Sequence, residues 1–177
     1  MSLLGLAAGV VFTVLLLWAA LGDLRTRRIP NRLVLVIAIL GIGYSAFGGR
    51  GVASGLGSSF GGIGIGLVCW LPFYVMGWLG AGDVKMFAAS GAWLGPMRAL
   101  EGSVVAALLG AVLALLWMLR VKGFRSSLET LTIATGSPGV LASGAKQGDV
   151  ERGTIPYGIA MAAGAIWAAW LPIFSLL

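Results

Sequence analysis

Two aspartates, Asp23 in LGDLRTRRIPN and Asp83 in GAGDVK, are the residues of this chain whose type and placement could do chemistry. Each stands at the edge of a long apolar segment, in a sequence otherwise nearly free of charge. Ionisable groups at membrane depth are costly and mark functional sites. Two carboxylates sharing one proton and one water can hydrolyse an amide. The ionised one takes a proton from the water, and the protonated one polarises the scissile carbonyl. Like charges held close cannot both ionise cheaply, which keeps such a pair half protonated.

Other chemistries are excluded by what the chain lacks. It has no histidine, so Ser-His-Asp and Cys-His nucleophiles and any His-containing metal site are ruled out. Its one cysteine, Cys69, can form neither an internal disulfide nor a Cys-rich zinc site. A Ser-Lys pair such as Lys85 with Ser90 is possible in principle, yet five residues along one helix point the two side chains apart. The carboxylate pair needs no metal and no cofactor.

Composition indicates what positions the acids. Hydrophobic residues make up 59% of the 177 and charged residues 10%, against roughly 25% charged in a soluble domain. The chain therefore reads as an all-α integral membrane protein: a single membrane-embedded domain over residues 1–177, with the lipid bilayer as its surroundings. The net charge of +6 comes from residues beside apolar segments, with no aromatic interleaving, so nucleic acid is not an expected partner.

A transmembrane helix needs roughly 20 apolar residues, and the sequence predicts about six. They run from about Leu3 to Gly22, Leu33 to Phe47, Ala53 to Leu79, Asp83 to a fade near Gly95-Pro96, Ser103 to Leu119, and Ile155 to Leu176. The third carries Gly57, Gly61, Gly62 and Gly66, whose spacing allows a neighbouring helix to approach closely. A polar cytoplasmic loop is expected over about 120–153, with an interfacial helix in its first part. Arg25, Arg27, Arg28 and Arg32 follow the first span and only Arg50 follows the second, which puts the N-terminus outside. Alternation then places Lys85, Arg120, Lys122, Arg125, Lys146 and Arg152 inside and Arg98 outside. Asp23 and Asp83 both fall at the cytoplasmic face.

Around the acids, Gly80 and Gly82 are expected to free the backbone for a tight turn or for close approach of an extended peptide. Lys85 could tune the charge of Asp83 or snorkel to the interface. Pro30 and Asn31 shape the turn before the second span and cap its helix.

Asp23 followed by RTRRIPN, Asp83 within GAGDVK, six hydrophobic segments and an IPYG string at Ile155–Gly158 together resemble the type IV prepilin peptidases and archaeal preflagellin peptidases, the GxGD membrane aspartyl proteases. The resemblance covers nearly the whole chain. It implies an endopeptidase in a prokaryotic cytoplasmic (inner) membrane that cuts the short basic leader from a prepilin or pseudopilin, where the leader meets the hydrophobic segment. Asp23 and Asp83 carry over as its catalytic pair. With one cysteine and no segment bearing paired CxxC motifs, the chain resembles the short peptidase-only form of tight-adherence (Flp-type) pili, without the methyltransferase module of larger members. A small proton-coupled transporter or channel using the same aspartates is the alternative, and it would show internal pseudo-symmetry that the sequence does not display. A non-catalytic membrane assembly subunit would keep its activity in cells without either aspartate.

Overall fold

A computed structural model describes residues 3–26, 29–48, 51–136 and 157–171, with side chains left aside over 117–136. All regular structure among the described residues is helical: α1 (Leu3–Thr26), α2 (Asn31–Phe47), α3 (Val52–Val75), α4 (Ala81–Gly136) and α5 (Tyr157–Trp170). Three stretches are long and apolar enough to cross a membrane, namely Leu3–Thr26, Val52–Val75 and Ala81–Leu116. Leu3, Val14, Leu17 and Trp18 of α1 and Leu108, Val112 and Leu116 of α4 are exposed, as in a membrane protein whose outer surface faces lipid. The polar loop expected over 120–153 lies partly outside the described residues, and helix continues as far as Gly136.

Among the described residues the helices number five where six separate spans are expected, because the fourth and fifth are joined with no loop between them. Gly95 has φ +75°, a left-handed conformation that stops a helix and suits glycine. Pro96 follows at once, and proline is favoured where a helix starts. A stop and a start therefore occupy consecutive residues. From Asp83 to Gly110 a straight helix would measure about 40 Å. Yet Leu79, just before α4, lines the same cavity as Gly110, so the run turns back on itself. Its first arm, 81–94, lies antiparallel to α3, while its second arm packs against α5, with Gly102 beside Gly164 and Gly110 beside Tyr157.

The reversal is satisfied chemically as well as sterically. Pro96 has no N–H, so the Ala92 carbonyl loses the donor it would have in a continuous helix. Two hydroxyls replace it: Ser45 of α2 and Ser59 of α3 both donate to the Ala92 oxygen, at 2.8 and 3.0 Å. Trp93 donates from Nε1 to the Ile37 carbonyl at 2.8 Å and packs on Phe12 and Tyr44, which ties α1 and α2 to the same turn. Of the α3 glycines, Gly61, Gly62 and Gly66 face α4. Gly62 lies against the Gly91 backbone with no room for a Cβ, whereas Gly57 faces open space.

Each serine is insurance for the other. Ser45→Ala or Ser59→Ala alone should cost about 0.6 kcal/mol. The double replacement strands a buried carbonyl and should cost about 2 kcal/mol or more, well above the sum. Thermal denaturation of the four proteins in detergent measures this, and strict additivity would contradict the shared-acceptor geometry.

Candidate active site

Both aspartates lie at one end of the bundle, each beside the start of a helix. Asp83 is the third residue of α4. The helix opens with the Asp83 and Val84 amides donating to the Gly80 carbonyl at 3.2 and 3.4 Å, so Gly80 is the capping position. The Gly80 backbone in turn hydrogen-bonds the Asp83 carboxylate, the reach-back of a third-position acid in a capping box. Asp83 Oδ1 is buried and has no hydrogen-bond partner among the described residues.

Asp23 lies one turn before the end of α1 and is buried, at 8% exposure. Its Oδ2 accepts a hydrogen bond from the Gly158 amide at 3.1 Å. Gly158 is the second residue of α5, in the first turn, where backbone N–H groups lack partners within the helix and attract anions. Asp23 is close enough for its charge to act on Asp83. The structure thus brings together two acids that are 60 positions apart in the sequence.

The other residues singled out from the sequence fall around this pair in different ways. Gly80 and Gly82 have no left-handed φ, unlike Gly77 in the preceding turn, so the expected backbone freedom is not what they supply. Gly80 is the tighter of the two positions. A Cβ on Gly80 would stand 3.3 Å from Asp83 Oδ2, and one on Gly82 would stand 3.4 Å from the Ile29 Cβ. Pro30 occupies the capping position of α2 and offers its carbonyl to Leu33 and Val34, but no side chain caps that helix, and Asn31 is simply its first residue. Pro30, Asn31 and Lys85 are exposed. Lys85 is two positions beyond Asp83, and such neighbours do not face one another on a helix. Ser90 is buried and donates to the Met86 carbonyl, so it makes no pair with Lys85.

A sequence model of the type IV leader peptidase family matches residues 10–118, more than half of the chain and including both aspartates. The chain belongs to the type IV leader peptidase family. That membership supports a peptidase acting on prepilin-type substrates. No curated protein and no solved structure matches the chain in the corresponding comparisons.

Gly158 lies beyond the matched stretch and is the site residue that sequence reasoning passed over, although the IPYG string containing it stood out. A Cβ there would come within 2.7 Å of Asp23 Oδ2 and 3.1 Å of the Asp23 Cβ, so the carboxylate can reach the amide only if residue 158 is glycine. Displacing a reacting group by about 1 Å costs on the order of a hundredfold in rate. Gly158→Ala should therefore lower prepilin processing about that much while the protein still folds. Gly64→Ala, at a position with nothing within 4 Å, should process normally. Cleavage time courses on the two variants decide it, and normal processing by Gly158→Ala would show that the Asp23 position is not critical.

Proposed function

We propose that this chain is a membrane aspartyl endopeptidase that removes the N-terminal leader of prepilin-like proteins, with Asp23 and Asp83 activating a water. The observation that carries the reading is the convergence of two buried or half-buried carboxylates at one end of an otherwise apolar bundle, in a member of a leader peptidase family. Structural roles alone do not require such an arrangement, since an acid that merely starts a helix gains nothing from a second acid beside it.

The hydrogen bonds indicate how the pair would work. The Gly158 amide holds Asp23 through Oδ2 and the Gly80 backbone holds Asp83, which leaves Asp83 Oδ1 as the buried oxygen still to be satisfied. Buried polar atoms are nearly always partnered. The attacking water and the proton shared with Asp23 are the partners this chemistry supplies. In the reaction one carboxylate removes the proton from water, the other donates to the scissile carbonyl oxygen, and the tetrahedral species collapses with protonation of the leaving amine. Fixing both side chains to helix starts pre-orients them for this attack.

Charge supports placing the site at the cytoplasmic face. Arg25, Arg32 and Lys85 flank the aspartate end, and Arg98 lies beside Tyr44 and Trp93 at the far end, the distribution expected if the aspartate end is inside. The N-terminus would then lie outside, and the localisation would be the cytoplasmic membrane, with the leader cut where it emerges from the bilayer.

Asp23→Asn and Asp83→Asn, each confirmed as expressed and membrane-inserted, should each reduce cleavage of a co-expressed prepilin by more than about a thousandfold, since the two groups act as a unit. Gel shift and N-terminal sequencing provide the readout. Processing retained by either variant would rule out the two-carboxylate mechanism. A wild type that cuts none of several prepilins would favour the transporter reading.

A further inference from the structure

Two neighbouring cavities lie at the end of the bundle away from the aspartates, around the Gly95-Pro96 reversal. One, of about 200 Å³, lies among α2, α3 and α4, with Ser45, Ser58 and Arg98 in its wall. The other, of about 290 Å³, extends from Arg98 towards α1 and α5, where Gly5, Gly9, Phe12 and Trp170 line it. Tyr44, Trp93, Leu94 and Arg98 belong to both walls, so the two chambers adjoin, and together they touch all five helices.

The first chamber suits an anion. Its Ser45 hydroxyl is already given to the Ala92 carbonyl and its Trp93 N–H to the Ile37 carbonyl. The Tyr44 and Ser58 hydroxyls and the Arg98 guanidinium are the remaining polar side-chain groups of the wall. Each can donate a hydrogen bond, and one carries a fixed positive charge. Ser58 is set there by the reversal itself, since a Cβ on Gly95 would stand 2.6 Å from its hydroxyl. No carboxylate lines either chamber, and Glu101, one turn beyond Arg98, is buried outside both walls. A guanidinium can hold a phosphate through two parallel hydrogen bonds, and neighbouring hydroxyls add to them. A headgroup that also carries an ammonium would find no carboxylate here to meet it.

The second chamber is apolar apart from Arg98 and Tyr44, and its walls are fixed. Trp170 donates from Nε1 to the Thr13 hydroxyl at 3.0 Å and lies over Gly9, where a Cβ would meet the ring at 3.1 Å. Phe12 packs on Trp93. An apolar chamber joined to an anion-binding one fits a molecule with a charged head and a hydrocarbon tail, whereas inorganic phosphate would leave it unfilled. Basic pockets between membrane helices are recognition sites for such headgroups.

We propose that these chambers hold an anionic phospholipid, with its phosphate on Arg98, Ser58 and Tyr44 and the start of one acyl chain between Gly5, Phe12 and Trp170. The lipid clasps the reversal, because Trp93 and Arg98 stand two residues before Gly95 and two after Pro96. The inference is independent of the peptidase reading.

The test titrates the purified full chain in mild detergent with phosphatidylglycerol, with phosphatidylcholine of the same acyl chains, and with inorganic phosphate, read by native mass spectrometry and thermal denaturation. Phosphatidylglycerol should bind as one molecule per chain, at least about tenfold tighter than phosphatidylcholine, and at saturation should raise Tm by about 5 °C. Phosphate alone should give no such rise. Arg98→Gln should weaken phosphatidylglycerol binding about tenfold, and Arg98→Lys, which keeps the charge without the planar fork, should fall between it and wild type. Gly5→Leu fills the apolar chamber, leaves the charge in place, and should weaken binding about tenfold. Arg32→Gln removes an exposed cation at the aspartate end and should bind as wild type does. Equal affinity for the two lipids, unchanged binding by Arg98→Gln, or equal losses in Arg98→Gln and Arg32→Gln would overturn the site. A rise in Tm with phosphate that matches the one with phosphatidylglycerol, or unchanged binding by Gly5→Leu, would overturn the lipid as its occupant. The lipid comparison on wild type decides the question even where a variant does not fold.

Discussion

The hydrogen bond from the Gly158 amide to the Asp23 carboxylate, spanning 135 positions of sequence, is the contact on which the site depends. A carboxylate near the end of a membrane helix is costly unless something in the protein meets it. Here the donor comes from the first turn of α5, whose amides have no partners within their own helix. Asp83 is held by the same logic at the start of α4. Two helix beginnings, aimed at one end of the bundle, offer fixed dipoles to two acids. Glycine at 158 is what allows the contact, because any side chain would occupy the space the carboxylate needs.

That arrangement requires the chain to return to the aspartate end after α4 has left it. Gly95 and Pro96 make the return without a loop, and Ser45 and Ser59 supply the hydrogen bonds that Pro96 forfeits at Ala92. The far end of the bundle is thus a folding device in the service of the near one. Once the second arm has come back, its Gly102 and Gly110 receive α5 at close range, and α5 brings Gly158 to Asp23. A defect in the turn would be felt at the acids, about 18 Å away along the first arm of α4.

Much of this was legible in the sequence because membrane physics leaves strong local marks. Asp23 and Asp83 stood out as charges at the edges of apolar segments, and Gly61, Gly62 and Gly66 announced a helix interface that the structure places against α4. The break at Gly95-Pro96 was visible too, but hydropathy reads a loss of apolar residues as a gap between helices and does not register a turn made without one. What Gly80 and Gly82 do stayed open for a related reason. A glycine in a string signals either an unusual φ or the closeness of a neighbour, and only coordinates separate the two. Gly158 stood in a visible IPYG string, but its role did not show there, since what matters about it is a partner from elsewhere in the fold.

The central claim is that Asp23 and Asp83 lie together at a single end of the bundle. It is tested most directly by thiol cross-linking in a chain whose own cysteine is removed by Cys69→Ser. With Asp23→Cys and Asp83→Cys together, a short bifunctional thiol reagent should join α1 to α4 within one molecule, as read by mass spectrometry of the digested protein. With Asp23→Cys and Arg98→Cys, which pairs the aspartate end with the far end, it should not. A cross-link absent from the first pair, or equally efficient in both, would contradict the account.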